Sequence, residues 1–208
     1  MSFSMRMLLV VLISLGLPLA TAQAGTQKFE IQGFRSAHFG MDQAETLQAI
    51  STDFGVPPSK VQHESNPVQY TQALSITVQN LLPQSGPAVV DYVFGYKSHI
   101  LSEINVTWQV GPGGAAALVH TGVALQNYFK TEPFPPGDIM GDKLLPTGTL
   151  LLFRGTDAAG HAVILVLDGK AQHDDKTNKT NLTPTFLTLI YAQDPSHPDV
   201  FKIGPGAF

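Results

Sequence analysis

The sequence predicts an α+β protein of two tandem units, each a helix followed by a three-stranded antiparallel sheet, with the units packed as layers. Two patterns recur in each half of the 208-residue chain and predict this fold class. Apolar residues at helical spacing come first, and stretches that alternate apolar and polar residues follow. Because 43% of the residues are hydrophobic, a chain of this length can bury a core around these elements.

The first predicted helix covers Asp42–Phe54, where apolar residues recur every three or four positions. Asp42 and Glu45 stand three residues apart, which is the spacing of a capping box. Gly55 follows directly and predicts the end of the helix.

Three strands are predicted to complete the first unit, because each alternates apolar and polar residues. The pattern is clearest in the last strand, where the apolar side chains of Ile104, Val106 and Trp108 share one face. The short link Gly95–His99 predicts that the second and third strands form a hairpin. The three strands are Leu74–Val78, Ala88–Phe94 and Ile104–Val110.

The second unit repeats this order of elements. A single apolar stripe predicts a helix over Leu118–Phe129, and the proline-rich stretch Pro133–Gly148 predicts an irregular connection. The polar stretch Ala171–Thr183 predicts an exposed loop. The three strands predicted here are Thr149–Arg154, His161–Asp168 and Pro184–Ala192.

The first 24 residues have the pattern of a secretory signal peptide. Arg6 precedes the apolar run Met7–Leu17, and Ala22 and Ala24 form an A-x-A cleavage site before Gly25. The run is shorter than the roughly 20 residues that cross a bilayer, so no stable membrane span is expected after cleavage. We therefore expect a periplasmic or secreted protein with a signal peptide at 1–24, a first unit at 25–111 and a second at 112–208, or one fused domain.

Composition excludes several classes of function. The net charge of −4 argues against binding to nucleic acid, which requires clustered positive charge. Without cysteine the chain has no disulfide, no thiolate metal site and no lipid-carrying cysteine.

The segment Gly33–Met41 leads into the first helix, and the Tyr-Val-Phe-Gly-Tyr hairpin Tyr92–Tyr96 follows it. This order resembles small secreted bacterial envelope proteins. The helix-and-meander unit is similar to outer-membrane assembly lipoproteins of the BamE type, and its tandem use is similar to the β-lactamase inhibitor proteins. Both resemblances imply binding proteins without catalysis. Because the lipidated cysteine of the assembly lipoproteins is missing, membrane anchoring is not implied.

No complete catalytic motif is present. The chain has no G-x-S-x-G nucleophile turn and no phosphate-binding loop with its lysine. Asp91 and Glu103 could in principle act as paired carboxylates, but a solvated sheet face carries such residues equally well. The sequence thus favours a protein that is not an enzyme and has no cofactor, and a hydrolase with an unrecognised site stays a third alternative.

Histidine and aspartate provide the candidate metal ligands. His173, Asp174 and Asp175 lie together, and with His197 they could form a nitrogen and oxygen site for zinc, copper or nickel. The simpler interpretation is a solvated acidic loop and tail, because a structural metal site normally has four ligands from one place.

The preferred function is therefore a non-catalytic binding or envelope-assembly protein that acts through protein–protein contacts. Its partner would be an unidentified envelope or periplasmic protein, bound at exposed sheet edges or through aromatic anchors such as Tyr70 and Tyr96. The alternative is a small-ligand or metal-binding protein that uses the loop His173–Asp175.

Overall fold

One antiparallel sheet of eight strands dominates the structure. The computed structural model describes residues 29–111, 113–135, 137–174, 179–204 and 206, with backbone only at 171–174 and 179–181. The predicted signal peptide at 1–24 lies outside these residues. In chain order the elements are β1 (Gly33–Phe34), β2 (Ala37–His38), α1 (Gln43–Phe54), a 3-10 helix (Pro58–Lys60), β3 (Gln62–Ser65), β4 (Gln72–Val78), β5 (Ala88–Phe94), β6 (Leu101–Gln109), α2 (Gly114–Thr131), β7 (Ile139–Leu144), β8 (Leu150–Thr156), β9 (Ala162–Asp174) and β10 (Lys179–Ala192).

The prediction of two α+β units, each with its own three-stranded sheet, is wrong. The strand order β3-β4-β5-β6-β10-β9-β8-β7 forms one continuous sheet, and the described chain is mostly β with two α-helices. The two halves join because β6 pairs with β10, with Val106 opposite Leu189. An unpaired edge exposes a row of backbone donors and acceptors, and this pairing satisfies them in the middle of the sheet.

Each half also contributes a fourth strand that the sequence did not predict. β3 is short and exposed along its whole length, so it lacks the alternation that identifies a half-buried strand. β7 lies inside the stretch Pro133–Gly148, where an irregular connection was predicted. The strands β9 and β10 extend into the stretch Ala171–Thr183, where an exposed loop was predicted, because their backbones pair there.

The structure confirms the first predicted helix: α1 spans Gln43–Phe54, and Asp42 is its N-cap residue. The Glu45 amide donates to the Asp42 carboxylate over 2.8 Å, and the Asp42 amide donates to Glu45 Oε2 over 3.0 Å. Gly55 ends the helix in the left-handed conformation, with φ of 65°. Local chemistry therefore sets both ends of this helix.

The helix α2 lies close against the sheet. A Cβ added at Gly122 would be 2.8 Å from Leu152 Cδ1 and 3.2 Å from Leu187 Cδ1. Leu118 and Phe129 bury the apolar stripe that the sequence predicted.

The core lies between the two helices and one face of the sheet. Ile50 of α1 and Phe129 of α2 belong to the same buried cluster as Ile104, Val106 and Trp108 of β6. The other face of the sheet is not covered by either α-helix. No helix within the described ranges is both long enough and apolar enough to span a bilayer.

Candidate partner-binding site

Three aromatic rings meet at the end of the sheet where β3–β4 and β5–β6 are connected. The ring centroids of Tyr70 and Phe201 lie 4.8 Å apart, those of Tyr96 and Phe201 lie 5.7 Å apart, and those of Tyr70 and Tyr96 lie 6.0 Å apart. Tyr70 is 58% exposed and Phe201 is 39% exposed. We call these three residues the aromatic cluster. The structure thus brings together the two tyrosines that the sequence singled out and adds Phe201.

The loop before β4 fixes the position of Tyr70. The Asn66 side-chain oxygen accepts hydrogen bonds from the amides of Val68 and Gln69 at 2.9 and 3.0 Å. The Tyr70 amide donates to the Asn66 carbonyl over 2.8 Å, and the Asn66 amide donates to the Thr71 carbonyl over 2.9 Å. Tyr70 has φ of 55°, a left-handed conformation that is an outlier for a bulky side chain. Such strain costs about 1–2 kcal/mol and persists only where the surroundings impose it.

Hydrogen bonds to Asp199 hold the segment after β10 against the turn between β5 and β6. Its carboxylate accepts hydrogen bonds from the amides of Lys97 and Ser98 at 3.1 and 2.9 Å, and its carbonyl accepts one from the Tyr96 amide at 2.8 Å. Partial burial raises the pKa of the Asp199 carboxyl, but the hydrogen bonds from Ser98 and Lys97 outweigh it and hold the pKa below its usual range. The ionised carboxylate is therefore part of the structure that positions Tyr96.

A second contact holds Phe201 beside the Asn66 loop. The Phe201 amide donates to the Gln69 carbonyl over 2.9 Å. Space in the turn is also limited, because a Cβ added at Gly95 would overlap the Asp199 carboxylate. The segment that ends in Phe201 is thus bonded to both loops, and the aromatic cluster is held in one arrangement.

Acidic and amide side chains lie beside the aromatic cluster on the sheet face that the helices leave uncovered. Asp91 of β5 is directly opposite Asn105 of β6, and the Asn105 amide donates to Glu103 Oε1 over 2.8 Å. The Asn105 side-chain oxygen is buried without a partner among the described residues. With Glu64 and residues of the Asn66 loop, these side chains line a cavity of about 400 Å³. This surface, which we call the acidic face, is continuous with the loop that carries Tyr70.

Of the four predicted metal ligands, the structure describes His197 fully and only the backbone of His173 and Asp174. The backbone of His173 pairs with Thr180 near one end of β10, whereas His197 follows the other end, roughly 40 Å away at the usual rise per strand residue. His197 is exposed, and its Nδ1 lies 3.4 Å from Asp194 Oδ2. Asp175 and the side chains of His173 and Asp174 lie outside the part of the structure that is described. Among the described residues, no group of three or more histidine, aspartate or glutamate side chains is placed to hold a metal ion.

Sequence reasoning missed the residues that assemble the aromatic cluster. Asp199 and Phe201 follow the last strand, in a segment without periodicity, so no pattern predicted that they would contact the two loops. The φ value of Tyr70 also has no signal in the sequence.

A second apolar region that reaches solvent lies on the opposite, helix-covered face. A cavity of about 330 Å³ opens beside α2 over the middle of the sheet, next to the β1–β2 turn that packs on α1. We call it the interhelical cavity. Its walls come from the β1–β2 turn, the sheet and α2, and include Phe34, Arg35, Trp108, Leu125, Tyr128 and Tyr191.

Comparison of the chain with protein-family models, curated proteins and solved structures found no match. The resemblances to assembly lipoproteins and to β-lactamase inhibitor proteins therefore stay predictions.

Proposed function

We propose that this protein is a non-catalytic binding protein that acts outside the cytoplasm and contacts a protein partner through the aromatic cluster. The observation that carries the proposal is the mutual contact of three partly exposed rings, of which one, Tyr70, is held in a strained backbone conformation. Aromatic residues are enriched among the few interface residues that dominate binding energy.

The hydrogen bonds around the aromatic cluster support this role. Loops that are already ordered lose little conformational freedom when a partner binds, so more of the interaction energy is available for affinity. The hydrogen bonds that the Asn66 and Asp199 side chains accept provide this order before any partner binds. Strained residues that their surroundings hold in place are found often at binding sites.

The acidic face indicates the chemistry of the partner. Glu64, Asp91 and Glu103 line the cavity beside the Asn66 loop. A partner that covers both regions would present an apolar or aromatic anchor to the rings and basic side chains to the carboxylates. We therefore expect binding that weakens as salt is added.

The edges of the sheet offer less support for docking than the aromatic cluster does. β3 has only four residues, all exposed and polar. In β7, Asp142 has φ of 53°, which interrupts the regular strand, and its carboxylate accepts a hydrogen bond from Gln126. Short or irregular edge strands are the usual protection against pairing with another chain.

The location outside the cytoplasm is supported by the sequence pattern at Met1–Ala24, which has the charged, apolar and cleavage regions of a signal peptide. Export can be tested separately by N-terminal sequencing of the protein from its host. A mature chain that begins at Gly25 is the expected result, and an intact Met1 in the cell would contradict it.

Site-specific cross-linking tests the partner contact. A photo-reactive p-benzoylphenylalanine is placed at Phe201 in one protein and, as a control, at Val119 in another. Val119 is exposed on α2 at a similar level and lies outside both surfaces. After irradiation in the host envelope fraction, we expect one saturable cross-linked partner from position 201 and none from position 119.

The contribution of Tyr70 to partner binding is tested by Tyr70→Ala in the protein that carries the photo-reactive group at position 201. Loss of the cross-link, with an unchanged circular dichroism spectrum, would support the aromatic cluster as the contact. An equal yield from positions 119 and 201, or a partner retained by Tyr70→Ala, would contradict the proposal.

A further inference from the structure

The interhelical cavity has the size and chemistry of a small-ligand site. Its volume of about 330 Å³ falls within the range of about 300–1,000 Å³ that small-molecule sites occupy. Apolar side chains form most of its wall, among them Phe34, Leu125 and Leu189. An apolar ligand would therefore fit it better than a sugar or a nucleotide.

Arg35 is the only charged residue among the described residues that line this cavity. Its guanidinium carbon lies 4.5 Å from the ring centroid of Phe54 and 5.7 Å from that of Phe34. The Asp53 carboxylate accepts hydrogen bonds from the amide and hydroxyl of Ser36. One Arg35 nitrogen donates to the Asp53 carbonyl over 3.3 Å, and no ion pair of Arg35 is present within the described ranges. The guanidinium thus keeps donors available for an anion.

The backbone conformation of Arg35 is a second observation at this residue. Arg35 is the first central residue of the tight turn between β1 and β2, and its φ is 55°. A positive φ at this position of a two-residue turn normally favours glycine. An arginine placed there bears a conformational cost, and residues that break such a local rule cluster at functional sites.

Trp108 forms part of the buried wall of the cavity. The side chain lines the cavity but is only 1% exposed, and its Nε1 has no hydrogen-bond partner among the described residues. Because Nε1 is buried, the indole contributes to the cavity as an apolar ring, and Arg35 is the charged group that the cavity offers to a ligand.

We propose that the interhelical cavity binds a single-chain amphiphile with an anionic head, such as a medium- or long-chain carboxylate. The alkyl chain fills the apolar cavity between Phe34, Leu125 and Leu189, and the carboxylate binds the Arg35 guanidinium at the rim. This site is separate from the aromatic cluster, which lies among loops at one end of the sheet.

The protein carries its own reporter for this site, because Trp108 is the only tryptophan in the sequence. Straight-chain carboxylates brominated on the alkyl chain quench indole fluorescence at contact. Titration of the purified protein is expected to give saturable quenching with one ligand per chain. Affinity should rise about fourfold for each added methylene until the cavity is full.

Arg35→Gly separates head-group recognition from apolar partitioning. Glycine suits the left-handed turn, so this variant is expected to fold, and Arg35→Asn provides a second variant that tolerates the same backbone. Both should bind the carboxylate about tenfold more weakly while binding of the alcohol of equal chain length stays unchanged. Lys60→Ala removes an exposed positive charge away from the cavity and should change neither affinity.

Three results would overturn the proposal. The first is an absence of saturable quenching at any chain length. The second is equal binding of carboxylate and alcohol by the unmodified protein, which would show that Arg35 recognises no head group. Retention of the carboxylate preference in both Arg35 variants would also contradict it.

Discussion

The aromatic cluster and the interhelical cavity are both apolar regions that reach solvent, but they are built in opposite ways. Loops and the segment around Asp199 form the aromatic cluster, and hydrogen bonds hold it. Strands, α2 and two short connections form the cavity, and most of its wall belongs to the packed core. Each places a non-glycine residue, Tyr70 or Arg35, in the left-handed conformation. The aromatic cluster can therefore be disrupted locally. The cavity wall is part of the core, so a change there also changes the free energy of unfolding of the whole protein.

The largest expected effect is at Trp108, because its indole belongs both to the cavity wall and to the core. Trp108→Ala should lower the free energy of unfolding by about 3–5 kcal/mol. Trp108→Phe keeps most of the apolar contact and removes an unpartnered N–H, so it should cost much less. Urea unfolding followed by circular dichroism measures both, and equal losses would show that the indole N–H is satisfied.

Asp199→Ala should dismantle the aromatic cluster without unfolding the cavity. It leaves two backbone amides without their carboxylate, and we expect a loss of about 1–2 kcal/mol. Hydrogen exchange should increase at Lys97 and Ser98 and stay unchanged in β6. Asp194→Ala is the matched control, because that exposed carboxylate serves only its own segment. Faster exchange throughout β6 would contradict the local character of the cluster.

Acid and alkali should act on different regions. The folded-state pKa of Asp199 is lower than its unfolded-state pKa, which is near 4. Ionised Asp199 therefore adds to the free energy of unfolding above about pH 4, and this stabilisation is lost as the pH falls through the lowered pKa. Burial raises the pKa of Tyr191 in the cavity wall. The neutral phenol therefore adds to the free energy of unfolding below about pH 10, and this stabilisation is lost as the pH rises above that value. Near-ultraviolet circular dichroism across both ranges tests this, with Asp199→Ala flattening only the acid limb.

The smallest expected effect on stability is at Tyr70. Tyr70→Asn relieves a strain of about 1 kcal/mol and loses ring contacts of about the same size, so the net change should stay within about 1 kcal/mol. Partner cross-linking should nevertheless be lost. A large destabilisation measured by urea unfolding would indicate that the ring has a structural role instead.

Local chemistry in the sequence predicted some elements correctly and pairing between distant elements poorly. The capping box of Asp42 and Glu45 and the alternation around Trp108 act over a few residues, so α1 and β6 could be located. The contact between β6 and β10 depends on which strand edges are left unpaired, and no short pattern records that. The meeting of Tyr70 and Tyr96 depends on Asp199, which lies far along the chain and carries no periodic signal.

The pairing of β6 with β10 also sets the order in which the sheet can be completed. Val106 of β6 is paired with Leu189 of β10, so the β6–β10 ladder cannot form until nearly the whole chain is available. Non-local pairings of this kind slow folding and leave strand edges open in the meantime. Until β10 pairs with it, β6 is an unpaired edge of the partial sheet β3–β6, with Ile104, Val106 and Trp108 on one face. The middle of the finished sheet is thus its most vulnerable part during folding, when an early-formed half can aggregate through β6.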